Sequence, residues 1–172
     1  MPKRTKVKFI LAAAGLFLTQ LPVSAESCQV QVTAVIDGDT LFVSHDGKKE
    51  KVIMYGIDCP ELGQFGGEEA KQFTNACCYH KDVTLDIHGH DKFNRLVAVV
   101  LLSDGANLNQ ELVKRGLAWW SDKFAPDDAA LKRLHSEAKN AKVGLWAAPN
   151  PVPPWIFRNG DKSVQATIRP AQ

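Results

Sequence analysis

A mainly β domain with about three helices, its five strands closed into a small barrel, is what the sequence predicts. Three observations carry that prediction. Five short apolar runs are bounded by Gly-, Asp- or Ser-containing turns, and several alternate with a period of two. A helix-like segment follows the third run and two more follow the fifth. The 172 residues are 45% hydrophobic and 23% charged, enough for a packed core, which excludes a disordered or collagen-like chain.

The elements follow in order. Val30, Val32, Ala34 and Ile36 alternate with Gln29, Gln31 and Thr33 as a first strand. Asp37-Gly38-Asp39 turns the chain, Leu41 to Ser44 resume it, and His45-Asp46-Gly47 turn it back. Lys51 to Ile57 form the third strand. A loop from Leu62 to Gly67 leads into a helix over residues 68–78. Val83, Leu85 and Ile87 mark the fourth strand, and residues 96–102 form the fifth. A second helix spans Asn107 to Arg115 and stops at Gly116. The third opens at Pro126-Asp127 and closes at Gly144, with Leu131, Leu134, Ala138 and Ala141 as its apolar stripe. Pro149, Pro151, Pro153 and Pro154 then predict an extended tail, docked through Trp155 and Phe157 and disordered from Asn159 onward. This pattern suits a five-stranded OB-fold barrel, an architecture that often presents one face to oligonucleotides. Fold alone does not assign a function.

Residues 1–25 read as an export signal. Lys3, Arg4, Lys6 and Lys8 precede the apolar run Phe9–Leu18, and Val23-Ser24-Ala25 offers a cleavage site. The apolar run falls short of the about 20 residues that span a bilayer, so no membrane span is expected in the mature chain. The chain carries 21 basic and 19 acidic residues, a net of +2. Without the four basic residues of the signal the balance is 17 to 19, a net of −2, which gives no bulk electrostatic case for an acidic partner. Cys28, Cys59, Cys77 and Cys78 all lie beyond residue 25, and export to an oxidising compartment, periplasmic or extracellular, favours a disulfide among them. The domain plan is thus a signal at 1–25, a folded domain at 26–148 and a Pro-rich tail at 149–172, acting as a monomer.

Two acidic segments carry the chemistry. Asp37-Gly38-Asp39-Thr40 sits in a turn, and Ile57-Asp58-Cys59-Pro60-Glu61 ends a strand. In a three-stranded meander the two segments meet. Asp39 and Asp58 then share a hard cation with backbone carbonyls and water, a weak Ca²⁺ site rather than an EF-hand. His88 and His90 beside Asp91 read as solvated loop residues rather than zinc ligands.

Together with His90-Asp91-Lys92-Phe93-Asn94-Arg95, these segments resemble the staphylococcal nuclease (thermonuclease) family. The resemblance runs from Val30 to Trp146 and includes Val35 to Thr40, Tyr55 to Glu61 and Leu108 to Val113. Pro149 to Trp155 resembles a tail of exported bacterial members. The resemblance implies an OB-fold and Ca²⁺-dependent hydrolysis of DNA and RNA phosphodiesters, with 3′-phosphate products. It implies that Asp39 and Asp58 ligate the metal and that Cys59 offers its backbone carbonyl. It further implies that Glu61 activates water and that Arg95 grips the scissile phosphate. Lys92, Phe93 and Phe124 are expected to contact the nucleic acid, the rings by stacking on bases.

One departure matters. The family places a second arginine five residues before the metal-binding aspartate, where this chain has Ile53. An aliphatic side chain donates nothing to phosphate, and losing such a donor costs about 10²–10³ in rate. Lys51 shares its strand face and would offer charge without a bidentate fork, but in the Lys48-Lys49-Glu50-Lys51 run it reads first as a solvated lysine. The competing reading is therefore an impaired nuclease-like module that binds nucleic acid or a protein partner. A lesser departure is Asn94 at a usual glycine, tolerable because Asn enters the left-handed region readily.

Overall fold

The computed structural model describes residues 26–160, so the expected export signal and residues 161–172 lie outside it. Strands β1 (Glu26–Val35), β2 (Thr40–His45) and β3 (Lys48–Met54) form an antiparallel meander. Strands β5 (Asp82–His90) and β6 (Leu96–Leu101) complete a closed barrel in the order β1-β2-β3-β6-β5. Only the β3–β6 junction is parallel. Alternation decides what faces inward: Val30, Val32, Leu41, Val43, Val52, Met54, Val83, Leu85, Ala98 and Val100 are all buried. Register shifts at Val32/Ala34 and Ile87/Gly89 mark irregularities in the ladders of β1 and β5, where extra twist helps a small barrel close.

The expected third strand does not run through to Ile57. It leaves the barrel at Gly56, whose φ of +73° a side-chain-bearing residue adopts only with strain. A Cβ there would also approach Leu131 Cδ1 to 2.8 Å. The chain then forms the short strand β4 (Ile57–Asp58), which pairs with β7 (Trp119–Trp120) outside the barrel. His88 and His90 belong to β5 rather than to a loop, and His88 stacks on Tyr55 at 3.8 Å.

Three helices stand where the sequence puts them, and a short fourth was not expected. Helix α1 (Gly67–Cys78) buries Ala70, Thr74 and Cys78. Helix α2 (Leu108–Lys114) is capped by Asn107, and α3 (Ala129–Ala141) by Asp128, which accepts from the Leu131 amide at 2.9 Å. That cap sets the start of α3 three residues after Pro126. Leu131, Leu134 and Ala138 are buried as expected, whereas Ala141 is exposed. The tail is not extended throughout: after a 3₁₀ turn at Gly144–Ala147 it forms helix α4 (Pro154–Arg158). Trp155 docks edge-on against Trp119 at 5.5 Å, while Val152 and Pro154 are buried.

Cys59, Cys77 and Cys78 are free thiols, so the expected cross-link does not form among them. Burial pushes the Cys78 thiol up to about 12, with the neighbouring Cys77 adding to the rise. No helix of the described residues is long and apolar enough to cross a membrane.

Asn109 ties α2 to the barrel. Its side-chain oxygen accepts from the Val100 amide at 3.0 Å, and its amide nitrogen donates to Tyr55 O at 2.9 Å. Removing the side chain strands buried backbone groups, each at about 1–3 kcal/mol. Asn109→Ala is expected to lose about 2–4 kcal/mol in urea unfolding. A loss below about 0.5 kcal/mol would contradict this account of α2 docking.

Candidate active site

The β1–β2 turn presses against the segment that follows β4. A Cβ on Gly38 would fall 2.7 Å from the Cβ and Sγ of Cys59 and 2.8 Å from Ala70 Cβ, so only glycine permits this approach. Thr74 of α1 donates to Gly38 O at 2.6 Å and pins the turn from below. Met54 N donates to Asp39 O at 2.9 Å, which pins it to the end of β3. The Asp39 backbone amide bonds Asp37 Oδ1 at 3.1 Å, a local Asx arrangement.

These contacts aim Asp39 at the second acidic segment. Asp39 Oδ2 accepts from the Cys59 amide at 2.6 Å, and its Oδ1 accepts from Thr40 Oγ1 at 3.1 Å. The residue is half-buried, and desolvation of its carboxyl holds its pKa well above the usual carboxylate range. The charge of Asp37 adds to the rise, the Cys59 amide opposes it, and Asp58 raises it further. Asp58, far from Asp39 along the chain, is thus near enough for its charge to act on the Asp39 carboxyl. The Cys59 side chain is buried and its thiol is pushed up by desolvation, so its sulfur offers no thiolate.

Could this set hold a hard cation? Two carboxylates and the Cys59 carbonyl are oxygen donors of the kind that Ca²⁺ takes, with water completing the shell. A half-buried carboxyl crowded by like charges gains from a nearby cation. The donor set fits on both counts, with both Asp58 oxygens also accepting from the Arg158 guanidinium. No group of three or more His, Cys, Asp or Glu side chains suited to a metal is found among the described residues, so the protein's share of the shell would be small.

Glu61 lies beyond Pro60, where Gln64 holds the loop. Glu61 N donates to Gln64 Oε1 at 3.1 Å, and Gln64 N returns a bond to Glu61 O at 2.9 Å. The Glu61 carboxylate and Asp58 share a partner that the sequence reading missed. Arg158 of α4 donates to Asp58 Oδ1 at 2.9 Å, to Asp58 Oδ2 at 2.6 Å and to Glu61 Oε1 at 2.6 Å. The bonds to these carboxylates, Asp58 first, raise the Arg158 pKa further above its already high value. The available signal was an arginine just after the Pro- and Trp-bearing tail segment, but nothing local says where that tail lands.

Arg95 sits just before β6. Its Nε and Nη2 contact Asp91 Oδ2 at 2.6 and 2.5 Å, and its guanidinium lies 5.2 Å from the Phe93 ring centre. The hydrogen bond from Arg95 holds Asp91 down at about 2. Asn94 adopts φ +59°, the left-handed turn expected of it. Phe93 and Phe124 are 66% and 68% exposed, each with a lysine (Lys92, Lys123) over its ring. Ile53 pairs with Thr40 of β2 and Val97 of β6, so it stands beside the Asp39 turn with no donor to offer. Lys51, one step back on the same face, is opposite Phe42.

A closed OB-type barrel with an acidic cluster at the β1–β2 turn and a guanidinium just ahead of β6 is an arrangement suited to phosphodiester chemistry. Comparison with known proteins supplies the class. The family model described as staphylococcal nuclease homologue matches residues 51–148. An Escherichia coli O157:H7 protein named "Uncharacterized endonuclease" is 34% identical over 144 residues, covering 84% of this chain and 94% of its own length. A protein of the same description from Haemophilus influenzae is 34% identical over 157 residues, covering 90% and 87%. A Shigella flexneri protein named "Micrococcal nuclease" is 28% identical over 162 residues, covering 89% and 92%. The chain belongs to the staphylococcal nuclease family and is a hydrolase of the phosphodiesterase kind.

The raised Asp39 carboxyl has a measurable consequence. A raised acid stabilises the fold while it stays protonated, below its unfolded value, and that gain is lost as pH rises through the folded value. At neutral pH without a cation, the ionised group works against folding. In chelator at neutral pH, Asp39→Asn should melt above wild type, and added Ca²⁺ should raise the Tm of wild type alone. A lower Tm for Asp39→Asn in chelator would contradict this electrostatic picture.

Proposed function

We propose that the protein is an exported, calcium-dependent nuclease that hydrolyses DNA or RNA phosphodiester bonds and leaves 3′-phosphate ends. The observation that carries this reading is the Asp39–Cys59 hydrogen bond, which brings the Asp39 and Asp58 segments together with Glu61 just beyond them. On this reading Asp39, Asp58 and the Cys59 carbonyl hold the ion. When bound, Ca²⁺ would neutralise phosphate charge and orient the attack.

The chain's own residues do the rest. Glu61 takes the proton of the attacking water as oxygen approaches phosphorus in line with the departing 5′ oxygen, which takes a proton from solvent as its bond to phosphorus breaks. The Arg95 guanidinium, held in place by Asp91, donates to the phosphoryl oxygens as their charge grows. Lys92 and Lys51 offer charge to flanking phosphates, and Phe93 and Phe124 offer exposed faces on which bases stack. Export rests on the basic and apolar pattern of residues 1–25, and a single chain contains every residue this reading requires.

Ile53 favours a second reading, a module that binds nucleic acid or a protein partner without cutting it. Digestion assays on single- and double-stranded DNA and on RNA, with Ca²⁺ or with chelator, separate the two. The proposal expects cleavage that chelator abolishes. No such cleavage at high protein concentration would leave only the binding module.

Glu61→Gln keeps an oxygen that accepts from Arg158 but cannot take a proton. It should lower kcat by about 10²–10⁴ while changing oligonucleotide affinity by less than about threefold. Equal losses in both would contradict the base role.

A further inference from the structure

The C-terminal tail returns to the acidic cluster and is fastened there at three points. Gln64, whose side chain already braces Glu61, donates through Nε2 to Val152 O at 2.5 Å. Trp155 packs edge-on against Trp119, and Trp119 is the β7 partner of Asp58 in the β4–β7 ladder. Arg158 stands three residues after Trp155, on the same side of one helical turn, and bonds Asp58 and Glu61. Each anchor touches a residue next to the cluster or in it, so the guanidinium is placed by the fold and not by its charge alone.

We propose that Arg158 is a phosphate-binding residue of this site, supplying from the tail the guanidinium that the barrel lacks at Ile53. The inference rests on the nuclease reading and extends it to a residue outside the barrel.

Charge requires such a group. Asp37, Asp39, Asp58 and Glu61 bring up to four negative charges together. A divalent cation offsets two, and the incoming phosphodiester adds one. Arg95 is balanced by Asp91, so that pair adds no net positive charge against the four carboxylates. Ile53 brings no charge to its place beside the Asp39 turn. Arg158 is the cation seated on the carboxylates themselves.

Donor geometry permits the role. A guanidinium has five N–H donors. Three serve Asp58 and Glu61 through Nη1 and Nη2, which leaves Nε–H and one Nη2–H for phosphate oxygens. The three anchors also order the long side chain before substrate arrives, so less freedom is lost on binding.

The same contacts would mean the opposite if the tail were a cap that keeps cation and substrate away from Asp58 and Glu61. The two differ in sign. The test compares wild type, Arg158→Ala, Arg158→Lys and Ile53→Arg/Arg158→Ala, each checked for fold by circular dichroism. Cleavage of a short oligothymidylate is measured in Ca²⁺. Its binding is measured by fluorescence anisotropy in the slow Glu61→Gln background, with and without Arg158→Ala.

Arg158→Ala is expected to lower kcat/KM by about 10²–10³, Arg158→Lys by less, and oligonucleotide affinity by about tenfold. Ile53→Arg placed on Arg158→Ala is expected to restore about tenfold or more of the loss. Unchanged or faster cleavage by Arg158→Ala, or tighter binding, would overturn the proposal, and a gain would identify the tail as a cap. If wild type does not cleave but Arg158→Ala still weakens binding, the nuclease reading falls and the role of Arg158 in phosphate binding stands.

Discussion

The approach of the β1–β2 turn to the Asp58–Glu61 segment is the constraint on which the rest of the structure depends. Gly38 leaves room for Cys59, Thr74 holds the Gly38 carbonyl, and Asp39 closes the contact on the Cys59 amide. Without that contact the two acidic segments, 20 residues apart, would be separate turns on the surface of a small barrel. With it, like charges are brought together, and a half-buried carboxyl among them gains from a proton or a nearby cation. The fold therefore stores an electrostatic cost at the place where a divalent ion and a phosphate would be needed.

On the proposed reading the cationic side of the site is assembled from distant parts. Arg95 comes from the turn before β6 and is oriented by its own neighbour Asp91. Arg158 comes from a helix of five residues at the far end of the described chain. The strand position between Thr40 and Val97, beside the Asp39 turn, is aliphatic. The proposed enzyme thus moves one guanidinium from the rigid barrel to a strap. Straps loosen more readily than barrel strands, so activity in this chain should depend on the docking of Val152 and Trp155 as well as on the site itself.

Much of this was legible in the sequence, for local reasons. Period-two alternation located the barrel strands, and the Asx-rich turn at Asp37–Asp39 and the Asp58–Glu61 segment are chain-local signals. The break at Gly56 was not legible, because the apolar run continues through Tyr55 and Ile57 while the backbone turns away. Ala141 continued the apolar period of α3 but faces solvent, because the helix passes the edge of what it covers. Asn109 read as one residue of a familiar segment, and only the fold shows it buried against Val100 and Tyr55. Arg158 was out of reach for a simpler reason: its partners lie 100 and 97 residues away, and no periodicity carries information over that distance.

The central claim is that Asp39 and Asp58, joined through Cys59, form one cation site. Calorimetric titration of Ca²⁺ into chelator-stripped protein tests it most directly, with Asp58→Asn beside wild type. The account predicts binding near one ion per chain in wild type, weakened by about tenfold or more in Asp58→Asn. Undiminished binding by Asp58→Asn would place the ion elsewhere and contradict the account.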